Sequence, residues 1–149
     1  MGEYMPIQLP VRSNLHRAMQ ADPPLTEVGY VTSQMVGRAI YLCGIDVGHI
    51  NTSPALRCLQ STRALLKTAC PTQPGMMVKV EPGLFEFLAP YQTGCPAFLN
   101  ADEMGAFHLK ADTEYSPIVH IYSLMPLARS DNIAQYYERC KRMMESITE

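Results

Sequence analysis

The stretch from Asp46 to Val80 constrains the fold more than any other, because it reads as strand, helix, strand. "DVGHINT" (Asp46–Thr52) is a strand candidate whose apolar residues are Val47 and Ile50, with Gly48 as its weak point. "SPALRCLQSTRALL" follows it. Ser53 suits a helix N-cap and Pro54 a first helical position, and Ala55, Leu59, Thr62 and Leu66 fall on one helical face. "PTQPG" (71–75) is a turn cluster, and "MMVKV" (Met76–Val80) is a second strand. A helix between two strands is the crossover that parallel pairing needs, so the expected class is α/β with a parallel sheet.

The flanks are less regular. Residues 1–24 are proline-punctuated and read as an irregular arm. Thr26 is a cap for a helix reaching about Leu42, with Val28, Val31, Met35, Ala39 and Leu42 at helical spacing and Gly44 as its stop. Residues 89–130 form a long excursion with one short helix expected at Asp102–Phe107. Residues 131–149 form a closing helix, with Ile133, Tyr137, Cys140, Met144 and Ile147 as its apolar stripe and Glu138 placed to pair with Arg142. Residues 25–88 are thus the βαβ-containing core of a single domain, a length that suits 149 residues.

Charge and cysteine usage narrow the function classes. Twelve Lys and Arg against fourteen Asp and Glu give a net charge of -2, so nucleic acid has no electrostatic pull on the chain. No apolar run approaches the roughly 20 residues of a membrane span, so no membrane partner is expected. Five cysteines without a C-x-x-C pair argue against a disulfide framework and a zinc site. With no basic-then-apolar leader, reduced thiols in a cytoplasmic protein are the expectation.

Arg57 is the residue that local helix logic does not explain. The positive end of a helix dipole disfavours a cation in the first turn. A parallel sheet, however, places its chemistry at the carboxyl ends of its strands, and this helix begins at that rim. Free N–H groups there bind anions, and an arginine adds a bidentate grip on phosphate oxygens. By residue type alone, a solvated helix position is the commoner role for such an arginine.

"DPPLTEVG", "SPALRCLQSTRALL" and "VEPGLFEF", in that order, resemble the histidine phosphatase (phosphoglycerate mutase-like) superfamily. The branch they resemble holds the suppressor of T-cell receptor signalling phosphatases and the ecdysteroid-phosphate phosphatases. "YSPIVHIYSLMP" before the last helix is similar to the same branch, so the likeness runs from about Tyr4 to the end. Thr32-Ser33 departs from it, since many relatives carry Gln-Ala there.

The resemblance implies a partial three-layer α/β/α fold with a mostly parallel sheet, lacking the first catalytic strand and the late strand. It implies a phosphomonoester phosphatase ancestry, protein-tyrosine phosphate included among the substrates, with no cofactor and no metal. Arg57 then holds the substrate phosphate, with Ser53 as a weaker contributor, and Glu86 is the proton donor to the leaving group. Flanking Phe85 and Phe87 are expected to desolvate Glu86 and keep its proton on; Glu81 is read as structural. The family's nucleophile is the histidine of an Arg-His-Gly motif, and no such motif occurs here. His16, His49, His108 and His120 match no catalytic motif, so this chain is expected to have no nucleophile and no turnover. The expected partner is a phosphate-bearing small molecule or phosphoprotein. The alternative is a non-catalytic phosphate-binding or interaction protein, pairing uncovered edges with a partner or with itself.

Overall fold

Helix α3 (Leu56–Ala69) lies between two parallel strands, β1 (Asn51–Thr52) and β2 (Lys79–Val80), paired Asn51↔Lys79 and Thr52↔Val80. The structure is a computed structural model describing residues 15–148, apart from 74, 92, 93 and 107. The class is α/β, as the order of elements implies, but each strand is only two residues long. A strand persists only where a neighbour bonds to it. Lys79 N donates to Ile50 O (2.9 Å) and Glu81 N to Thr52 O (2.8 Å), while residues 45–49 run as irregular chain. On the other side Val78 bridges Ala111 in parallel, through Val78 N to Lys110 O (2.8 Å) and Asp112 N to Val78 O (2.9 Å).

The expected start of α3 moves. The helix begins at Leu56 with Ala55 in the cap position, not at Ser53-Pro54, and Ala55 has no side-chain capping bond. The cap comes from elsewhere in the chain: Asp22, fully buried, accepts Leu56 N at 2.8 Å. Leu25 N donates to Gln60 Oε1 at 2.6 Å. These two bonds hold residues 22–25 against α3.

The irregular arm is therefore corrected in its described part. Residues 1–14 lie outside the described residues, but Leu15–Ala21 forms helix α1, which stops before Pro23-Pro24. Helix α2 (Glu27–Leu42) matches the sequence reading: Thr26 Oγ1 accepts Gly29 N (3.1 Å), and Gly44 at φ +67 terminates it. It packs on α3 through Gly37, where an added Cβ would lie 2.3 Å from Leu65 O and 2.4 Å from Thr68 Oγ1. Thr68 Oγ1 donates to Gln34 O at 2.7 Å across the same crossing.

Two clusters make the core. Leu56, Leu59 and Val78 pack with Leu99, Met104 and Leu109; Ala55, Phe85 and Leu88 pack with Leu124. Residues 89–130 thus supply core on both sides of α3 instead of leaving it. They carry α4 (Ala101–Ala106), α5 (Ile121–Leu124) and a 3-10 turn at Met125–Arg129; Phe107, the expected end of α4, lies outside the described residues.

Helix α6 (Ile133–Thr148) closes the chain. Among the described residues its i,i+4 ion pair is Lys141–Glu145, at 4.0 Å between exposed side chains, and not the expected Glu138–Arg142. Its buried residue is Met143, which is not on the apolar stripe. Ile133, Tyr137 and Met144 face solvent, as do Val28, Val31, Met35, Ala39 and Leu42 of the α2 stripe. Both stripes predict the helices correctly; the α2 stripe points away from the core, and the α6 stripe is half-buried only at Cys140 and Ile147.

Candidate functional site

The rim of the parallel pair brings together the residues singled out by the sequence. Glu81 follows β2 and caps the 3-10 turn Pro82–Leu84, which delivers Glu86 opposite the first turn of α3. The Arg57 Nη2 lies 2.7 Å from Glu86 Oε1, with 30% and 42% of the two side chains exposed. The Tyr91 hydroxyl donates to the same carboxylate oxygen. Burial works against the charge of Arg57, but the hydrogen bond and charge of Glu86 outweigh it and hold the guanidinium above its ordinary value. Burial, then the bond to Glu86, push the Tyr91 hydroxyl up, so it remains a donor at neutral pH.

The desolvating sandwich expected around Glu86 is not formed. Phe85 is buried, edge to face with Phe98 at 4.9 Å, and Phe87 packs on Tyr136 at 5.9 Å. Adjacent residues in extended chain point to opposite sides, so the rings flank Glu86 in sequence and leave its carboxylate to Arg57.

Glu81 has a different task. It is 0% exposed and accepts Gly83 N (2.8 Å), Tyr115 OH (2.8 Å), Ile118 N (2.7 Å) and Val119 N (3.1 Å). These bonds fasten the 3-10 turn to residues 115–119. Burial, followed by the bond to Glu81, pushes the Tyr115 hydroxyl up to about 12.

Ser53 is buried beneath the site. Its Oγ accepts Ala55 N at a long 3.4 Å, and it also meets the Cys58 thiol. Burial pushes that thiol up more than the charge of Arg57 and the bond to Ser53 draw it down, so Cys58 is not an activated nucleophile. His49 and His120 are exposed, and His108 belongs to a loop beside the far end of α3; the side chain of His16 lies outside the described residues. Among the described residues no group of three or more His, Cys, Asp or Glu is arranged to hold a metal.

Three positioning residues were not legible in the sequence. Asp22 occupies an N–H of α3 that was expected to face an anion. Asp131 Oδ2 accepts Leu88 N (2.9 Å), and Arg139 Nη2 donates to Glu86 O (3.1 Å), with 3.6 Å between the two charged groups. From one helix and its entry, this pair clamps both ends of the Glu86–Leu88 segment. No local pattern marks contacts made across 43 and 53 residues. The only hint was Arg139 itself, a charge one helical face away from the apolar stripe.

Arg57 and Glu86 thus meet as an ion pair at the carboxyl rim of the parallel strand pair. The chain is 33% identical over 135 residues to an ecdysteroid-phosphate phosphatase of Drosophila melanogaster, covering 91% of this chain and 18% of that protein. It is 31% identical over 144 residues to ubiquitin-associated and SH3 domain-containing protein A of Homo sapiens, covering 95% and 21%. The crystal structure of the ecdysone phosphate phosphatase of Bombyx mori, in complex with tungstate, aligns at a TM-score of 0.81 and 28% identity, over 98% of this chain and 54% of that one. No protein-family model matches the chain. The chain therefore spans about a fifth of the length of these curated relatives and about half of the solved structure. Over this stretch it is similar to this branch of the histidine phosphatases, and it holds part of their phosphoglycerate mutase-like fold.

Proposed function

We propose that this chain is the phosphate-recognition part of a histidine phosphatase, with Arg57 gripping a phosphomonoester and Glu86 serving as proton donor to the leaving group. The observation that carries the reading is the Arg57–Glu86 pair itself. A cation and a carboxyl held within bonding distance supply the two groups that phosphoryl transfer to a nucleophile needs at its flanks. A phosphate dianion arriving at Arg57 competes with Glu86 for the guanidinium, and the displaced carboxyl then sits beside negative charge, which favours its holding a proton. Ser53 lies too deep for a main role and steadies the helix start. Phosphotyrosine, a steroid phosphate and a small phosphomonoester all fit this chemistry, and the five unpaired thiols support a reducing, cytoplasmic setting.

Without an Arg-His-Gly motif this sequence has no residue to accept the phosphoryl group, so we expect binding without turnover. Calorimetry with orthovanadate tests the first half. Arg57→Ala removes charge-assisted bonds worth roughly 1.5–3 kcal/mol and should weaken binding accordingly; an unchanged affinity in a folded variant rejects the assignment. Nitrophenyl phosphate tests the second half: turnover above buffer that disappears in Arg57→Ala overturns it. In a chain that also carries the histidine segments, Glu86→Gln should slow alkyl phosphates more than nitrophenyl phosphate, and equal losses exclude Glu86 as donor.

The second reading, an interaction protein, is favoured by the outward apolar stripes of α2 and α6. Sedimentation at several concentrations separates the two readings. A monomer that binds vanadate supports phosphate recognition alone, whereas a dimer broken by Val31→Asp supports pairing with itself.

A further inference from the structure

Away from the Arg57 corner, a cavity of about 360 Å³ opens beside the C-terminal half of α3. Four of its ten lining residues are basic (Arg63, Lys67, His108 and Lys110), and no lining residue is acidic. Composition does not demand this, because the whole chain is net negative at -2. Asp46 lines an adjoining depression that shares Cys70 and Gln73 with this cavity. The apolar floor comes from Leu66 and Leu109.

Both walls are rigid. Arg63, Leu66 and Lys67 stand at helical spacing on α3, along one face. Opposite them, Lys110 is anchored because its carbonyl accepts Val78 N (2.8 Å) in the bridge beside β2. His108 holds a left-handed φ of 56, a conformation that a non-glycine residue keeps only where its surroundings hold it.

Helix logic explains only part of the charge. Lys67 suits the negative end of the α3 dipole, but that end carries only about half an elementary charge. Two lysines and an arginine exceed it several-fold, and like charges around one cavity repel. Arg63 has partners of its own, so Lys67 and Lys110 are the groups left to a ligand. The cavity falls within the roughly 300–1,000 Å³ of small-ligand sites.

We infer that this cavity is a second anion site, taking a small diphosphate-type anion between Lys67 of α3 and Lys110 of the bridged segment. It is separate from the phosphomonoester corner: Arg57 and Lys67 are ten residues apart on α3, about 15 Å along the axis at 1.5 Å per residue. The diphosphate is either free or the end of a nucleotide, since both present the same oxygens.

Calorimetry of the full chain with pyrophosphate and with ADP, at low and moderate salt, tests the site. In the Arg57→Ala background, which removes the phosphomonoester corner, pyrophosphate binding should persist, and adding the double variant Lys67→Gln, Lys110→Gln should weaken it at least tenfold. ADP binding tighter than pyrophosphate, and lost in the same double variant, assigns the nucleotide. Both lysines are exposed, so the double variant should keep the circular dichroism of the parent chain. No pyrophosphate binding, binding indifferent to the double variant, or binding abolished by Arg57→Ala each overturns the inference.

Discussion

Helices α3 and α6 are alike in sequence and opposite in outcome. Each carries an apolar stripe at helical spacing, yet α3 buries or half-buries its stripe while α6 leaves Ile133, Tyr137 and Met144 of its own to solvent. Ala55 at the cap of α3 and Leu59 within it are buried, and Thr62 donates to Thr52 Oγ1 of β1 at 2.9 Å. On α6, Tyr137 is 67% exposed, and the inward face is Tyr136, Arg139 and Met143. Arg139 is tolerated there because its guanidinium stacks over the Tyr136 ring, bonds Glu86 O and faces Asp131. Periodicity identifies residues that share a face. Whether that face is covered depends on what else the fold places against it.

The largest test of this contrast is Leu59→Ala, which opens a cavity in the cluster of Leu56, Val78 and Met104. Loss of roughly 2–5 kcal/mol is expected in urea unfolding. A small loss would mean that α3 is no better covered than α6. Gly37→Ala comes next, because the α2–α3 crossing leaves a Cβ only 2.3 Å from a backbone oxygen that cannot rotate away. Overpacking of this kind costs roughly 1–3 kcal/mol, and the same assay reads it.

Asp22→Ala probes why α3 starts where it does. Losing a capping carboxylate typically costs about 0.5–2 kcal/mol, and amide exchange should rise first at Leu56. Exchange that rises uniformly would show that Asp22 holds the arm but not the helix. The smallest effect is expected from Tyr137→Ala on the outward face of α6. Such surface changes usually stay within about 0.5 kcal/mol, so a larger loss in dilute solution would reveal that a second molecule already covers this stripe.

The candidate site divides in the same way. Arg57 stood out because a cation in the first turn of a helix is a local anomaly, and Glu86 followed from the motif around it. Their mutual distance of 2.7 Å was not local information. Nor was the clamp of Asp131 and Arg139, whose partners Leu88 and Glu86 lie in a segment with no pattern linking the two. Glu81 and Glu86 are both glutamates of one short motif. Only the fold separates them, by turning one into a buried acceptor of four bonds and leaving the other at the rim.

By itself the sequence determined the class of the elements: α2 from Thr26 to Gly44, the strand–helix–strand order, and the closing helix. Caps, stops and apolar spacing act within a few residues, so their physical causes are written where they operate. Tertiary structure alone decided the rest. It cut the strands to the residues that find a bonding neighbour, moved the start of α3 to the carboxylate of Asp22, and drew residues 89–130 into the core. It also left the α2 stripe and most of the α6 stripe exposed. A side chain is buried by what packs on it, and that covering is a property of the whole chain in space.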